Sequence, residues 1–369
     1  MKPRFLKVKK TLRQRHNNLL KFSKESKNLD KSTCIKQSIL DYSIKTFNRI
    51  GSSSKNGEVL KSCYINNSDE CIFDMIVKKI PVYDIDLSLV KTPESKEALK
   101  YDVFSEIYFL KKISLLVEQK ITQNVPIFFD WTVCKNCDFT NVHLIKYLAK
   151  HYPGSKGCIL LLAELADTDL VGWFKYGRSS FELYSCFLQI FLGLYSIKKY
   201  FKIWHHDLHG GNVLVKKVPK GGYFEYLVGG KKILVPNLGF IFLLWDFGYA
   251  RIPGVIEPLH FKSIYSAQNN HLLDNIKIVS QVYKTGPKIK IDGKLQHLGT
   301  FVYEHIKYII DTLNSGNEVL PISEKSFHKS LEIQRDIIYE LYKTVVLLDT
   351  KKNSEKVIVD RFDTDKNLE

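Results

Sequence analysis

Cysteine is scarce in this sequence, acidic side chains are outnumbered, and no apolar run is long enough to cross a bilayer. Seven cysteines among 369 residues, an odd number, argue against a disulfide-built scaffold and fit a reducing compartment. The most apolar uncharged stretch, Leu183 to Ile197, is fifteen residues broken by Gln189 and Gly193. That falls short of the roughly 18–20 residues a spanning helix needs, so it reads as a buried helix. No apolar segment follows the early charges, which argues against a secretory signal and gives cytoplasmic placement as the expectation.

The composition is otherwise that of a globular chain. Apolar residues make up 44% and charged residues 25%, which excludes wholesale disorder and fibrous repeats. With 22 Phe and 20 Tyr there is ample material for a core. Charge is unevenly placed. Residues 1–36 carry nine Lys and three Arg against Glu25 and Asp30, which is +10 of the total +16. Such an arm suits nucleic acid, an anionic membrane surface or an acidic protein, or is a solvated tail.

Residues 1–45 are basic and only weakly periodic. The segments Val59–Ile65 and Cys71–Ile80, separated by Asn66-Asn-Ser-Asp-Glu70, read as a hairpin. Leu99, Val103, Ile107, Leu110, Ile113 and Val117 set a helical period over 94–118. Further strands are expected at Val125–Trp131 and Cys158–Glu164. After Asp169 the pattern turns helical, with Phe181–Phe201 the longest segment, two short strands bracketing 213–245, and helices near 270–284, 299–314 and 328–348. A strand-rich first part and a helix-rich second part suggest two lobes with a cleft between them. Cys134 and Cys137 form the only CxxC. They are either two ligands of a zinc site completed by His143, His151 or Cys158, or simply two thiols in a turn.

The segment with most chemical content is His205-His-Asp-Leu-His-Gly-Gly-Asn212, followed later by Leu244-Trp-Asp246-Phe-Gly248. An Asp with an Asn five residues on, between a long helix and a short strand, places a carboxylate and an amide around one point. A second Asp entering a Phe-Gly turn adds another hard oxygen ligand. Phosphoryl transfer uses this set: a base for the attacking hydroxyl, and oxygen ligands for Mg²⁺.

These two motifs, in this order after a long apolar helix, resemble the protein-kinase superfamily, whose loops read His-Arg-Asp-x-x-x-x-Asn and Asp-Phe-Gly. The resemblance covers roughly residues 48–345. It implies an α+β, bilobal protein-kinase-like fold, with an antiparallel-sheet N-lobe and hinge over 46–166 and a mainly helical C-lobe over 167–349. A basic arm (1–45) and a C-terminal tail (350–369) flank them. It also implies ATP with Mg²⁺ (or Mn²⁺) as cofactors and a protein Ser/Thr hydroxyl as acceptor. Asp207 takes the role of base, Asn212 and Asp246 hold the metal, and His205 packs beneath the loop. Lys78, which shares a strand face with Ile76, is the phosphate lysine in preference to Lys79. Glu106, with Glu97 as the other candidate, pairs with it. The turn Gly51, Ser53, Gly57 with Val59 covers the nucleotide, backbone near Glu164 to Ala166 meets the adenine edge, and Asp169 reaches the ribose. Ala163 stands at the gatekeeper-like position.

Departures from the pattern narrow the reading. The glycine turn has one residue more than Gly-x-Gly-x-x-Gly. His206 replaces the arginine that meets an activation-segment phosphate, which implies activity independent of that phosphate. His209 stands where serine/threonine kinases place a lysine on the γ-phosphate, or is a polar loop residue. The 33 residues between Asn212 and Asp246 include an extra hairpin at Gly221–Tyr226 and Ile233–Asn237. Haspin-like kinases carry a comparable insertion, and atypical kinases of nucleocytoplasmic large DNA viruses are also similar around Phe129–Cys137. A viral origin would add the virion as a location. No Ala-Pro-Glu follows Asp246, and only 27 residues separate it from Asp274, the expected brace of the catalytic loop. A small-molecule kinase of the aminoglycoside or choline type, and a pseudokinase that binds partners through 1–36, are the competing readings. A glycosidase would leave Lys78 and Asn212 idle.

Overall fold

Alternation of apolar and polar residues around two turns folds the first part of the chain into a sheet. The computed structural model describes residues 44–50, 57–65, 70–82, 87–134, 137–151, 157–257, 273–314, 324–349 and 356–368, with a few positions between Lys9 and Leu20. Most of the basic arm, together with Gly51 and Ser53, lies outside the described residues. The protein is α+β and divides into two compact units, one made chiefly of Arg15–Lys111 and Ile127–Leu165, the other of Lys112–Pro126 and Ala166–Glu369.

The first unit is a five-stranded antiparallel sheet in the order β1-β2-β3-β5-β4. Its strands are β1 (Ile44–Ile50), β2 (Glu58–Ile65), β3 (Cys71–Pro81), β4 (Phe128–Cys134) and β5 (Cys158–Glu164). The expected hairpin is present, with Val59 opposite Lys78. Strand β5 is buried along its whole length, as its unbroken apolar run requires. Gly57 belongs at its position because a Cβ there would lie 2.4 Å from the Lys79 carbonyl oxygen. The helix Asp102–Glu118 begins in this unit; residues 94–101 are turns ending in the 3-10 stretch Ala98–Lys100.

Two elements here escaped sequence reading and a third is shifted. Strand β1 starts inside the segment read as an arm. The helix Val142–His151 lies between β4 and β5, and β4 itself sits three residues beyond the expected strand. Cysteines also pair where the sequence reading favoured no disulfide framework. The hairpin brings Cys63 and Cys71 to a Cα separation of 5.7 Å, where they pair as a disulfide, and Cys137 pairs with Cys158.

The second unit is mainly helical. Its central helix, Ser180–Phe201, starts with a capping box in which the Ser179 hydroxyl accepts from the Glu182 amide and Glu182 returns the bond. By length and composition this helix could cross a membrane, contrary to the sequence reading, but 83% of its apolar window is buried inside the protein. It packs against the longest helix, Glu324–Leu348. Strands β6 (Thr168–Asp169), β7 (Val213–Lys217) and β10 (Phe240–Leu244) form one small sheet, in the order β10-β7-β6. The inserted hairpin exists as β8 (Tyr223–Val228) and β9 (Lys231–Pro236). Its outer neighbour is β13 (Ile358–Asp363), parallel to β8, so the segment read as a tail completes a sheet. A second unforeseen hairpin, β11 (Lys288–Ile291) with β12 (Lys294–His297), precedes the helical run from Leu298 to Asn314.

A buried amide ties the insertion to this unit's core. Asn124 accepts from the Tyr226 hydroxyl (2.8 Å) and donates to the Phe242 carbonyl (3.0 Å) and to Gln189 (3.3 Å). Asn124→Ala removes one hydrogen-bond partner from each of the three groups. The expected loss is about 3 kcal/mol of unfolding free energy in urea denaturation; a loss under ~1 kcal/mol would show that the knot is not structural.

Candidate active site

Strand alternation separates the two neighbouring lysines of β3. Lys78 turns to the same face as buried Ile76 and forms an ion pair with Glu106, Nζ to Oε1 2.8 Å, the two side chains only 11% and 3% exposed. Lys79 turns the other way, to Glu58 (3.0 Å) and the Asp138 carbonyl (2.8 Å). Burial works to raise the Glu58 pKa, but the Thr140 amide and Lys79 hold it below the ordinary range. Lys79 is therefore committed to structure. Glu97 pairs with Lys100 at the surface and takes no part.

The residues read from the sequence as a nucleotide-facing strand end lie at the close of β5. Ala163 is fully buried. The Glu164 amide is committed to the Ile127 carbonyl (2.9 Å), so this N–H is not available to a nucleotide, whereas Ala166 is half-buried. Asp169 caps the short helix Leu170–Trp173, one carboxylate oxygen accepting from the Gly172 amide at 2.6 Å. Its expected ribose role competes with that bond.

The second unit gathers the loop residues around one carboxylate. Asp274, at the start of the helix Leu273–Thr285, accepts from the amides of His205 (2.7 Å) and His206 (2.8 Å). His206 is thereby held in the left-handed region, φ 60°. His205 lies beneath the loop, its Nε2 donating to the Trp245 carbonyl (2.7 Å) and its ring 4.7 Å from Phe247. The Asn212 amide donates to the Asp207 carbonyl (2.9 Å) and carboxylate (3.3 Å). The Trp245 amide donates to the Asn212 carbonyl (2.9 Å), which fastens Asp246 to the same loop. Asp246 is itself left-handed at φ 62°, a conformation a non-glycine residue adopts only when its surroundings impose it. His209 Nδ1 accepts from the Gly211 amide (3.0 Å) and its Nε2 is 3.9 Å from the Asp207 carboxylate, with the residue half-buried.

This donor set suits a hard divalent cation. With its nitrogen donated to Asp207, the Asn212 side chain keeps its oxygen for a metal, and Asp246 supplies a carboxylate.

Sequence reasoning missed the cations beneath the loop. Arg251 is buried, donates to His206 Nε2 at 2.8 Å, and exchanges two backbone bonds with Trp204 (both 2.9 Å). Lys277, one helical turn from Asp274, donates to the His206 carbonyl. Its i,i+3 spacing from Asp274 was the available signal; Arg251 had none. Burial lowers the Lys198 pKa to about 7, with Asp274 opposing the shift. Burial likewise takes His206 down to about 3; Asp274 opposes this, and Arg251 and Lys277 add to it.

No family model matches the chain. Three viral proteins named as serine/threonine-protein kinases do. One, from Frog virus 3, is 32% identical over 135 residues, 36% of this chain and 15% of that protein. Another, from Invertebrate iridescent virus 6, is 30% identical over 162 residues, 42% of this chain and 29% of that protein. The third, from Acanthamoeba polyphaga mimivirus, is 24% identical over 124 residues, 30% of this chain and 27% of that protein. The chain is related to this kinase group of large DNA viruses. It spans less than a third of the length of each of these three relatives.

Two outcomes follow from the geometry. Glu106→Ala removes the carboxylate paired with a buried ammonium and should cost about 3–5 kcal/mol in denaturant unfolding, while Lys78→Met with Glu106→Leu should be close to neutral. Equal losses for single and double variants would contradict that account. His206, depressed below its unfolded value, binds no proton in the folded state between about pH 3 and 6.5, where the unfolded chain does. Its contribution to stability is thus complete above pH 6.5 and declines as pH falls toward 3. NMR should find its ring neutral at pH 5; a titration near 6.5 would refute the assignment.

Proposed function

We propose that the protein is an ATP-dependent phosphotransferase acting on Ser/Thr hydroxyls of protein substrates. The observation that carries this reading is the single loop in which Asn212 fixes Asp207 while Trp245 ties Asp246 to Asn212. A base and two oxygen ligands on one braced scaffold are what phosphoryl transfer requires, because its catalysis is mostly positioning and charge neutralisation. Asp207 accepts the acceptor hydroxyl's proton. Asn212 and Asp246 would hold Mg²⁺, which supplies charge neutralisation at the phosphates. Lys78, oriented by Glu106 within the sheet unit, would take phosphate oxygens. The names of the viral relatives support the kinase class, and by the same reading the acceptor is Ser or Thr.

The test is transfer of γ-labelled phosphate from Mg-ATP to the protein itself and to a generic basic protein. Asp207→Asn should lower the rate by about 10²–10⁴-fold with nucleotide binding retained. Transfer to aminoglycosides or amino alcohols alone would establish a small-molecule kinase instead. Nucleotide binding without transfer to any acceptor would leave a pseudokinase.

A further inference from the structure

Residues Lys284 to His297 carry four lysines and a single acidic residue, Asp292. They end the helix Leu273–Thr285 and form the hairpin of β11 and β12. Its two-residue turn, Asp292-Gly293, is left-handed at both positions (φ 50° and 84°), as the twist of a tight hairpin requires. Lys284, Lys288, Lys290 and Lys294 are all exposed, and none of them forms an ion pair among the described residues. Asp292 turns its carboxylate to the Ser180 amide (3.1 Å). The hairpin therefore presents positive charge with little to offset it.

One side of this hairpin is braced. The Arg178 amide donates to the Lys290 carbonyl (2.8 Å), and the Arg178 guanidinium donates to the Trp173 carbonyl (2.9 Å) while lying 4.0 Å from the indole centroid. The other side is open, because β12 pairs with β11 alone among the described residues. In a two-residue hairpin the pair beside the turn, here Ile291 with Lys294, exchanges its backbone bonds, and the pairs then alternate. Leu295 thus directs its amide and carbonyl away from β11, and its side chain is 69% exposed. An open strand edge is a template for another extended backbone. Charge decides which backbone. A second copy of β12 would set lysine against lysine, and a nucleic acid has no peptide groups to continue the ladder. An extended acidic polypeptide satisfies both the edge and the lysines.

We propose that the free edge of β12 docks an extended, acidic segment of a partner protein as an added strand. Its backbone pairs at Leu295, and every second side chain, Asp or Glu, lies on the face that carries Lys288 and Lys290. The register Lys290 opposite Leu295 puts both lysines on the Leu295 face. Alternate residues of a strand repeat at about 6.6–6.8 Å, so acidic side chains at every second position match the spacing of Lys288 and Lys290. Strand β11 lies two strand spacings, about 10 Å, from the added strand, a gap that a lysine and a glutamate side chain close between them over Leu295. Binding of this kind is independent of phosphoryl transfer and needs neither Asp207 nor Lys78.

The test titrates the full chain into a labelled peptide of alternating Glu and Val, read by fluorescence anisotropy. The same peptide with Lys for Glu, its fully N-methylated counterpart and an oligo-dT strand run beside it. The acidic peptide should bind, and the Lys and N-methylated peptides should bind at least about tenfold more weakly. Lys288→Glu with Lys290→Glu should weaken the acidic peptide by about tenfold or more, with circular dichroism reporting the fold. In the wild-type protein the peptide should slow hydrogen exchange at the Leu295 amide, which decides the matter if the double variant does not fold. Affinity unchanged in a folded double variant would move the peptide to the basic arm and overturn the proposal. So would equal affinity for the N-methylated peptide, a Leu295 amide left unprotected, or no binding at all. Oligo-dT bound more tightly than the peptide, and lost in the double variant, would make the hairpin a nucleic-acid site instead.

Discussion

The carboxylate of Asp274 is the anchor on which the loop carrying Asp207 and Asn212 depends. Two consecutive amides, those of His205 and His206, point at one side chain, and two parallel bonds to an anion fix their peptide planes. Once His206 is held left-handed, the chain turns so that Asp207 emerges from the loop while both histidines stay buried. A single hydrogen bond would leave a rotation about that turn free; the bidentate arrangement removes it. Three cations, Lys198, Lys277 and Arg251, lie in the field of this one half-buried carboxylate.

The ion pair of Lys78 with Glu106 obeys a different logic. Both groups are nearly water-free, and removing two charges from water is costly enough that an apolar pair of similar size would hold the unit together equally well. Such a pair is poor value as a stabiliser and good value as a fixed, oriented ammonium. Its persistence in the sheet unit beside a neighbouring lysine tied wholly into structure argues for chemistry at Lys78 and packing at Lys79.

What could be read from the sequence was what local spacing dictates. Strand alternation alone separated Lys78 from Lys79, and the five-residue step from Asp207 to Asn212 contained its own hydrogen bond. Asp274 was legible only through the resemblance to the kinase pattern, in which a helix aspartate braces the loop. The misses are long-range. Nothing near Ile358–Asp363 announces that it will pair with β8, more than 130 residues earlier, since parallel pairing leaves no turn signal. Among its described side chains, the helix Val142–His151 buries only Leu144 and Leu148 and leaves Val142 and Ile145 exposed, and the Cys137–Cys158 approach arises only when β4 and β5 align. Asp169 was read for its charge, yet its place just ahead of a helix made it a cap.

The exchange of arginine for His206 gains its meaning from Arg251. In the kinase pattern this sequence resembles, a loop arginine waits for a phosphate to order the segment that follows Asp246. Here the cation comes from that segment, and a neutral imidazole nitrogen receives it at 2.8 Å. The arrangement is self-sufficient: the two backbone bonds between Trp204 and Arg251 and the stacking of the guanidinium 5.2 Å from the Trp204 ring hold the segment's first residues against the loop without any added charge. It also explains why His206 must stay neutral, because a proton on Nε2 would both remove the acceptor and face a guanidinium. In the proposed kinase, the region around Arg251 therefore begins ordered, and an activating phosphate would find its site already filled by the chain's own hydrogen bond.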